Sequence, residues 1–84
     1  MSKKKSTPRG KYEIFILNDD LHSFDEVISA LSEICGHNRF QAEQCAVITH
    51  NVGQCSVFID KHDISMEIYE DLVKTGLNCR IQKR

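Results

Sequence analysis

Eighty-four residues, 40% of them hydrophobic, suffice for one small domain with a single core and leave no room for a second domain or a deep cleft. No apolar run approaches the length of a membrane span, and the basic start Met1 to Arg9 lacks the apolar stretch of a secretory signal, so the expected setting is cytoplasmic with no membrane partner. The net charge of −1 hides a division: Lys3, Lys4, Lys5, Arg9 and Lys11 precede all twelve acidic residues, and an acidic domain repels nucleic-acid phosphate.

Residues 1 to 11 carry Pro8 and Gly10 without periodicity, which predicts a flexible basic N-terminal tail ahead of a domain spanning 12 to 84. Tyr12, Ile14 and Ile16 alternate with Glu13, Phe15 and Leu17, the pattern of a strand with one core face and one partly covered face. Asn18-Asp19-Asp20 cannot continue a buried strand and marks a rim facing water or a ligand. Ser23 followed three residues later by Glu26 has the form of a capping box and opens a helix at about Phe24. Its apolar positions Phe24, Val27, Ile28, Leu31, Ile34 and Cys35 repeat near 3.6, and Gly36 suits the left-handed cap.

Asn38 with Gln41 repeats the capping pattern and opens a second helix whose stripe is Ala42, Cys45, Ala46 and Thr49, widened by Ile48 and Val52. Small side chains on that face permit close approach to the first helix or leave a hollow between the two. Gly53 ends the helix, and Cys55, Val57 and Ile59 alternate in a second strand. Asp60 or Asp63 is the expected cap of a third helix, with Ile64, Ile68 and Leu72 as its stripe and Tyr69 and Val73 alongside. After Gly76, Leu77, Cys79 and Ile81 alternate in a last strand. The order β-α-α-β-α-β predicts an α+β domain, a small and mainly antiparallel three-stranded sheet with three helices on one face.

Cys35, Cys45, Cys55 and Cys79 each fall where a small apolar side chain suits the pattern, so they read as reduced core residues. No Cys-x-x-Cys or paired-histidine spacing accompanies His37, His50 or His62, so neither a metal nor another cofactor is expected.

The polar rim has a chemistry of its own. Asn18 offers an amide oxygen, Asp19 and Asp20 offer carboxylates, and a neutral His50 offers a ring nitrogen. Grouped acceptors without a fixed cation suit a primary ammonium, and a hollow between Phe24, Val27, Ala46 and Thr49 would add an apolar socket. That pair of features would read the free N-terminus and first side chain of a peptide. Two other readings remain open on the residues alone. Asn18 to Asp20 could be a polar turn capping nearby backbone, with His50 bonding at a helix end. A metal or hydrolytic site would need an activated nucleophile or a ligand spacing that the sequence does not supply.

Tyr12 to Val27, reading Tyr-Glu-Ile-Phe-Ile-Leu-Asn-Asp-Asp-Leu-His-Ser-Phe-Asp-Glu-Val, resembles the opening strand, Asn-Asp-Asp turn and first helix of the ClpS adaptors of the Clp protease. His50-x-x-Gly53 is similar to the end of that family's second helix, and the likeness runs with gaps through Val57-Phe58 to Leu77-Asn78-Cys79. The resemblance implies the ClpS fold, itself similar to the C-terminal domain of ribosomal protein L7/L12, and a monomeric adaptor rather than an enzyme. Such adaptors bind substrates with bulky hydrophobic N-terminal residues (N-degrons) and deliver them to a Clp AAA+ unfoldase such as ClpA or ClpC. Carried across, Asn18, Asp19 and His50 would hold the substrate's α-amino group, while His22, Phe24, Val27, Ala46, Thr49 and Leu77 would wall its side-chain pocket.

The chain departs from the family pattern Asn-Asp-Asp-x-Thr-Pro-Met at His22, Ser23 and Phe24, so a gating methionine becomes phenylalanine, and Ala46 stands for a second pocket methionine. The stretch from Gly53 to Leu77 is several residues shorter than in typical relatives, and the tail is shorter than the extension they use for delivery. An alternative implied by the same fold is an interaction module that modulates a Clp unfoldase without reading N-termini.

Overall fold

The computed structural model describes residues 9–84, so most of the expected tail, residues 1–8, lies outside the described residues. Six elements follow in the expected order: β1 (Lys11–Leu17), α1 (Phe24–Ile34), α2 (Arg39–Val52), β2 (Gln54–Lys61), α3 (His62–Lys74) and β3 (Cys79–Lys83). Lys11 belongs to the first strand and not to the tail. It pairs with Lys61, and its carbonyl accepts from the Arg84 amide at 2.8 Å.

The sheet order is β2-β1-β3 with both pairings antiparallel, which makes β1 the central strand. Its alternation places Ile14 and Ile16 in the core at 0% and 1% exposure. On the same face of the sheet, Ile16 is flanked by Cys55 and Cys79 in register. Leu31 of α1, Ala42 of α2, Leu72 of α3 and the loop residue Leu77 complete the core. On the far face Phe15 is partly covered by the Arg80 guanidinium, 4.6 Å from its ring centroid.

Both capping boxes form. Ser23 and Glu26 exchange hydrogen bonds at the start of α1, and Asn38 and Gln41 do so at the start of α2. Gly53 ends α2 with φ +104°, a left-handed cap that only glycine adopts without strain. Between β1 and β2 the register shifts at Ile14/Phe15, so that Val57 is skipped in the ladder. Its carbonyl accepts from His37 Nε2 at 2.7 Å, which satisfies a group the bulge would otherwise orphan.

Five expectations are corrected. Leu77 lies in the loop ahead of β3, which starts only at Cys79. Ile59 leaves the core face at 37% exposure, because the register shift sets Phe58 opposite Ile14 and reverses the alternation beyond Val57. Ile48 and Val52 do not widen the buried stripe of α2; they are 41% and 73% exposed, because small residues alone make the contact with α1 and the sheet. Neither Asp60 nor Asp63 caps α3: Lys61 is its N-cap without a side-chain hydrogen bond, while Asp63 sits in the first turn, where its charge suits the helix dipole. The buried face of α3 is also rotated from the expected stripe. Ile64 and Val73 are exposed, and Ser65 is fully buried. Its hydroxyl is bonded to the carbonyls of Tyr12 at 3.0 Å and Asp60 at 3.1 Å, fastening α3 to β1 and to the end of β2.

Candidate functional site

The end of β1 sets the site. Beyond Leu17 the chain leaves the ladder, yet it stays anchored, since the Leu17 amide donates to Asn78 O at 2.9 Å and the Asn18 amide to Gly53 O at 3.0 Å. These bonds tie the Asn-Asp-Asp rim to the start of β3 and to the C-terminus of α2. The glycine cap of α2 therefore serves the site as well as the helix.

A cavity of about 320 Å³ opens at this junction. It is lined by all nine residues singled out above: Asn18, Asp19 and His50, together with His22, Phe24, Val27, Ala46, Thr49 and Leu77. Asn18, Asp19, Asp20 and His50 are among its polar lining, and no lysine or arginine borders it among the described residues. Val27, Ala46 and Leu77 are among its apolar lining, with Ala46 and Leu77 buried to 3% and 6% exposure. The Thr49 hydroxyl donates to the Cys45 carbonyl at 2.7 Å, so its hydrogen is not available to a ligand.

Phe24 stands at the mouth, 46% exposed, where α1 begins. Its ring meets that of His50 edge to face, with centroids 5.6 Å apart at 79°. This contact bridges the first residue of α1 and the last turn of α2. Among the described residues the His50 side chain has no hydrogen bond, so its nitrogens are open to a ligand.

The structure alters one part of the expected chemistry. Asp19 is not a bare acceptor. Its Oδ1 accepts from the Leu21 amide at 2.9 Å and the His22 amide at 3.0 Å, and His22 Nδ1 lies 3.2 Å from Oδ1 and 3.1 Å from Oδ2. The two side chains are only 12% and 16% exposed. Burial acts to raise the Asp19 carboxyl, but the bonds from the Leu21 amide, the His22 ring and the His22 amide outweigh it and hold the group below its ordinary value. His22 moves upward, chiefly because its ring donates to Asp19, against a smaller opposing effect of burial. His22 therefore acts on the acceptor cluster besides walling the cavity.

Ile16, Leu17 and Ser23 also line the cavity and were not foreseen as site residues. Ile16 was findable, because alternation makes it the last core-facing residue of β1 before the triplet. The Asp19–His22 pair was hidden because its partners are three residues apart in a loop, where spacing carries no facing rule.

A family model described as "ATP-dependent Clp protease adaptor protein ClpS" matches residues 7–80. No curated protein sequence matches the chain. Among solved structures, Agrobacterium tumefaciens ClpS2 bound to L-phenylalaninamide superposes with a TM-score of 0.80 at 18% identity, covering 89% of this chain and 98% of that one. At that identity the likeness establishes the shared fold. Among the described residues no helix is long and apolar enough to cross a membrane.

Proposed function

Because the chain belongs to the ClpS family of ATP-dependent Clp protease adaptors, we propose that it is a cytoplasmic N-degron adaptor. It captures proteins whose first residue is bulky and hydrophobic and delivers them to a Clp-type AAA+ unfoldase, ClpA or ClpC. The observation that carries this reading is the pairing, within one cavity, of an acceptor cluster free of lysine and arginine with an apolar socket. L-Phenylalaninamide, the molecule bound by the Agrobacterium tumefaciens protein, joins an α-amino group to an aromatic side chain, and this cavity suits both parts.

The proposed division of labour follows from donor and acceptor capacity. A peptide α-ammonium has three N–H donors. Asn18 Oδ1, the open lone pair on Asp19 Oδ2 and an unprotonated His50 nitrogen can each take one. The first side chain then lies toward Val27, Ala46 and Leu77, beneath the Phe24 ring. Binding selects the substrate and orients its N-terminus; bond cleavage belongs to the peptidase partner.

Fluorescence anisotropy with a Phe-starting peptide tests the reading. N-terminal acetylation removes the charge and two donors, and Asp19→Ala removes the anion. Either change is expected to weaken binding at least about tenfold, since a charged hydrogen bond contributes roughly 1.5 to 3 kcal/mol. An acetylated peptide that binds as well as the free one would falsify the amino-terminal reading.

A further inference from the structure

We propose that His22 is a positioning residue for amino-terminal recognition: its ring aims the Asp19 carboxylate into the cavity, and its charge competes with an incoming ammonium. The inference rests on the reading above and assigns a further determinant of that site.

The geometry separates the two oxygens of Asp19. Oδ1 already has three donors within 3.2 Å, two from backbone and one from the ring, whereas Oδ2 has only His22 Nδ1 at 3.1 Å. A carboxylate oxygen has two lone pairs, so Oδ2 is the atom left to take a ligand N–H. The imidazole is the sole side-chain donor on this carboxylate among the described residues, and together with the two backbone amides on Oδ1 it fixes the carboxylate's rotation.

The far edge of the ring lies beside the turn between α3 and β3, where a Cβ placed on Gly76 would meet His22 Nε2 at 3.4 Å and Cε1 at 3.6 Å, ordinary contact distances. His22 shares one cavity with Asp19, Asp20 and His50 and another with Asp25, Glu26 and Glu33 of α1, and of these groups Asp19, Glu26 and the Thr75 backbone act on its ring.

Nδ1–H can donate to Asp19 in either protonation state. In the neutral ring, Asp19 keeps its full negative charge for the ligand. In the imidazolium, Asp19 is half of an ion pair, and an arriving ammonium makes two cations sharing one anion. Peptide affinity should therefore rise as His22 loses its proton. By linkage, bound peptide should lower the pH at which His22 titrates by the same factor.

Histidine-ring NMR on the full chain, with and without saturating Phe-starting peptide, is the direct measurement. The His22 midpoint is expected to move to lower pH in the complex, by an amount equal to a change in affinity of about fivefold or more. Anisotropy at about pH 5.5 and about pH 7.5 gives the matching affinity ratio, with the peptide's own α-amino group, near about 7.7 to 8.0, titrating identically in every arm. His22→Asn, which cannot become cationic, should shrink that ratio at least about twofold, leaving whatever His50 contributes. The proposal is overturned if His22 titrates alike in free and bound protein, or if His22→Asn keeps the wild-type ratio. If the variant does not fold, the NMR comparison on the wild-type chain decides alone. A peptide that binds while His22 stays indifferent removes this proposal only, whereas no binding at any pH removes the amino-terminal reading and the proposal with it.

Discussion

Asp19 and His22 set one another's protonation, and this makes the stability of the rim depend on pH in a defined window. The folded-state value of His22 is raised above its ordinary 6.5, so its contribution is complete below about 6.5 and is lost as pH climbs through the raised value. Asp19 is lowered from 3.8, so its contribution is complete above about 3.8 and is lost as pH falls through the lowered value. The pair supports the fold most between those limits. Thermal melts are expected to lose Tm on both sides of that window, and His22→Asn should remove the alkaline loss attributable to the pair. A variant melting curve with the wild-type alkaline slope would exclude the pair as its source. At the mouth, Phe24 is pinned by His50 yet half exposed, which leaves ring surface for an aromatic first residue. Edge-to-face contact is worth roughly 0.5 to 1.5 kcal/mol, so Phe-, Tyr- and Trp-starting peptides should bind a few-fold to about tenfold more tightly than a Leu-starting one. Phe24→Leu should erase the preference. Ala46→Met adds a side chain to a wall that is already buried and should weaken the Trp-starting peptide most. Tightest binding by the Leu peptide would show that Phe24 does not shape selection.

The first two helices announce themselves through local chemistry, and for that reason their starts were legible, whereas α3, which no side chain caps, was not placed that way. Ser23 with Glu26, and Asn38 with Gln41, fix the first turns of α1 and α2 by bonds within four residues of chain. Features that depend on distant partners were not legible. Ser65 is buried with its hydroxyl bonded to the nearby Asp60 carbonyl and to that of Tyr12, and nothing in its own neighbourhood of sequence predicts the Tyr12 partner. The bulge at Val57 likewise follows from pairing with β1 and from His37, twenty residues away. Gly53 is where element and site meet, since it caps α2 and gives its carbonyl to the Asn18 amide. A Cβ there would meet nothing within 4 Å, so Gly53→Ala costs backbone strain alone, about 1 kcal/mol. Denaturant unfolding should register that loss. Peptide affinity should fall too, because the strain is relieved by moving the Asn18 anchor. Unchanged affinity in a destabilised variant would separate the helix cap from the rim.

At the scale of the whole molecule, charge divides along the chain. Five basic residues lie in positions 3 to 11, whereas six basic and twelve acidic residues occupy positions 12 to 84. The polar lining of the cavity shares the acidic character of the domain, which favours a cationic N-terminus arriving through water. The basic segment enters β1 at Lys11, while the acceptor rim begins beyond Leu17 at the other end of that strand, about 20 Å away at roughly 3.3 Å per residue. Positions 2 to 10 also hold no large apolar side chain that could fill the socket. Recognition should therefore be independent of this segment, and its use, if the chain acts as a family adaptor, lies in delivery to the unfoldase. Deleting residues 2 to 8 is expected to change the affinity for a Phe-starting peptide by less than about threefold, under about 1 kcal/mol. The same deletion should slow degradation of an N-degron substrate in a reconstituted assay with Clp unfoldase and peptidase. Measuring both quantities on one preparation keeps the two roles apart. A truncated protein that delivers substrate at the full-length rate would strip the basic segment of any part in the hand-over, whereas a large loss of peptide affinity would place it at the mouth of the site.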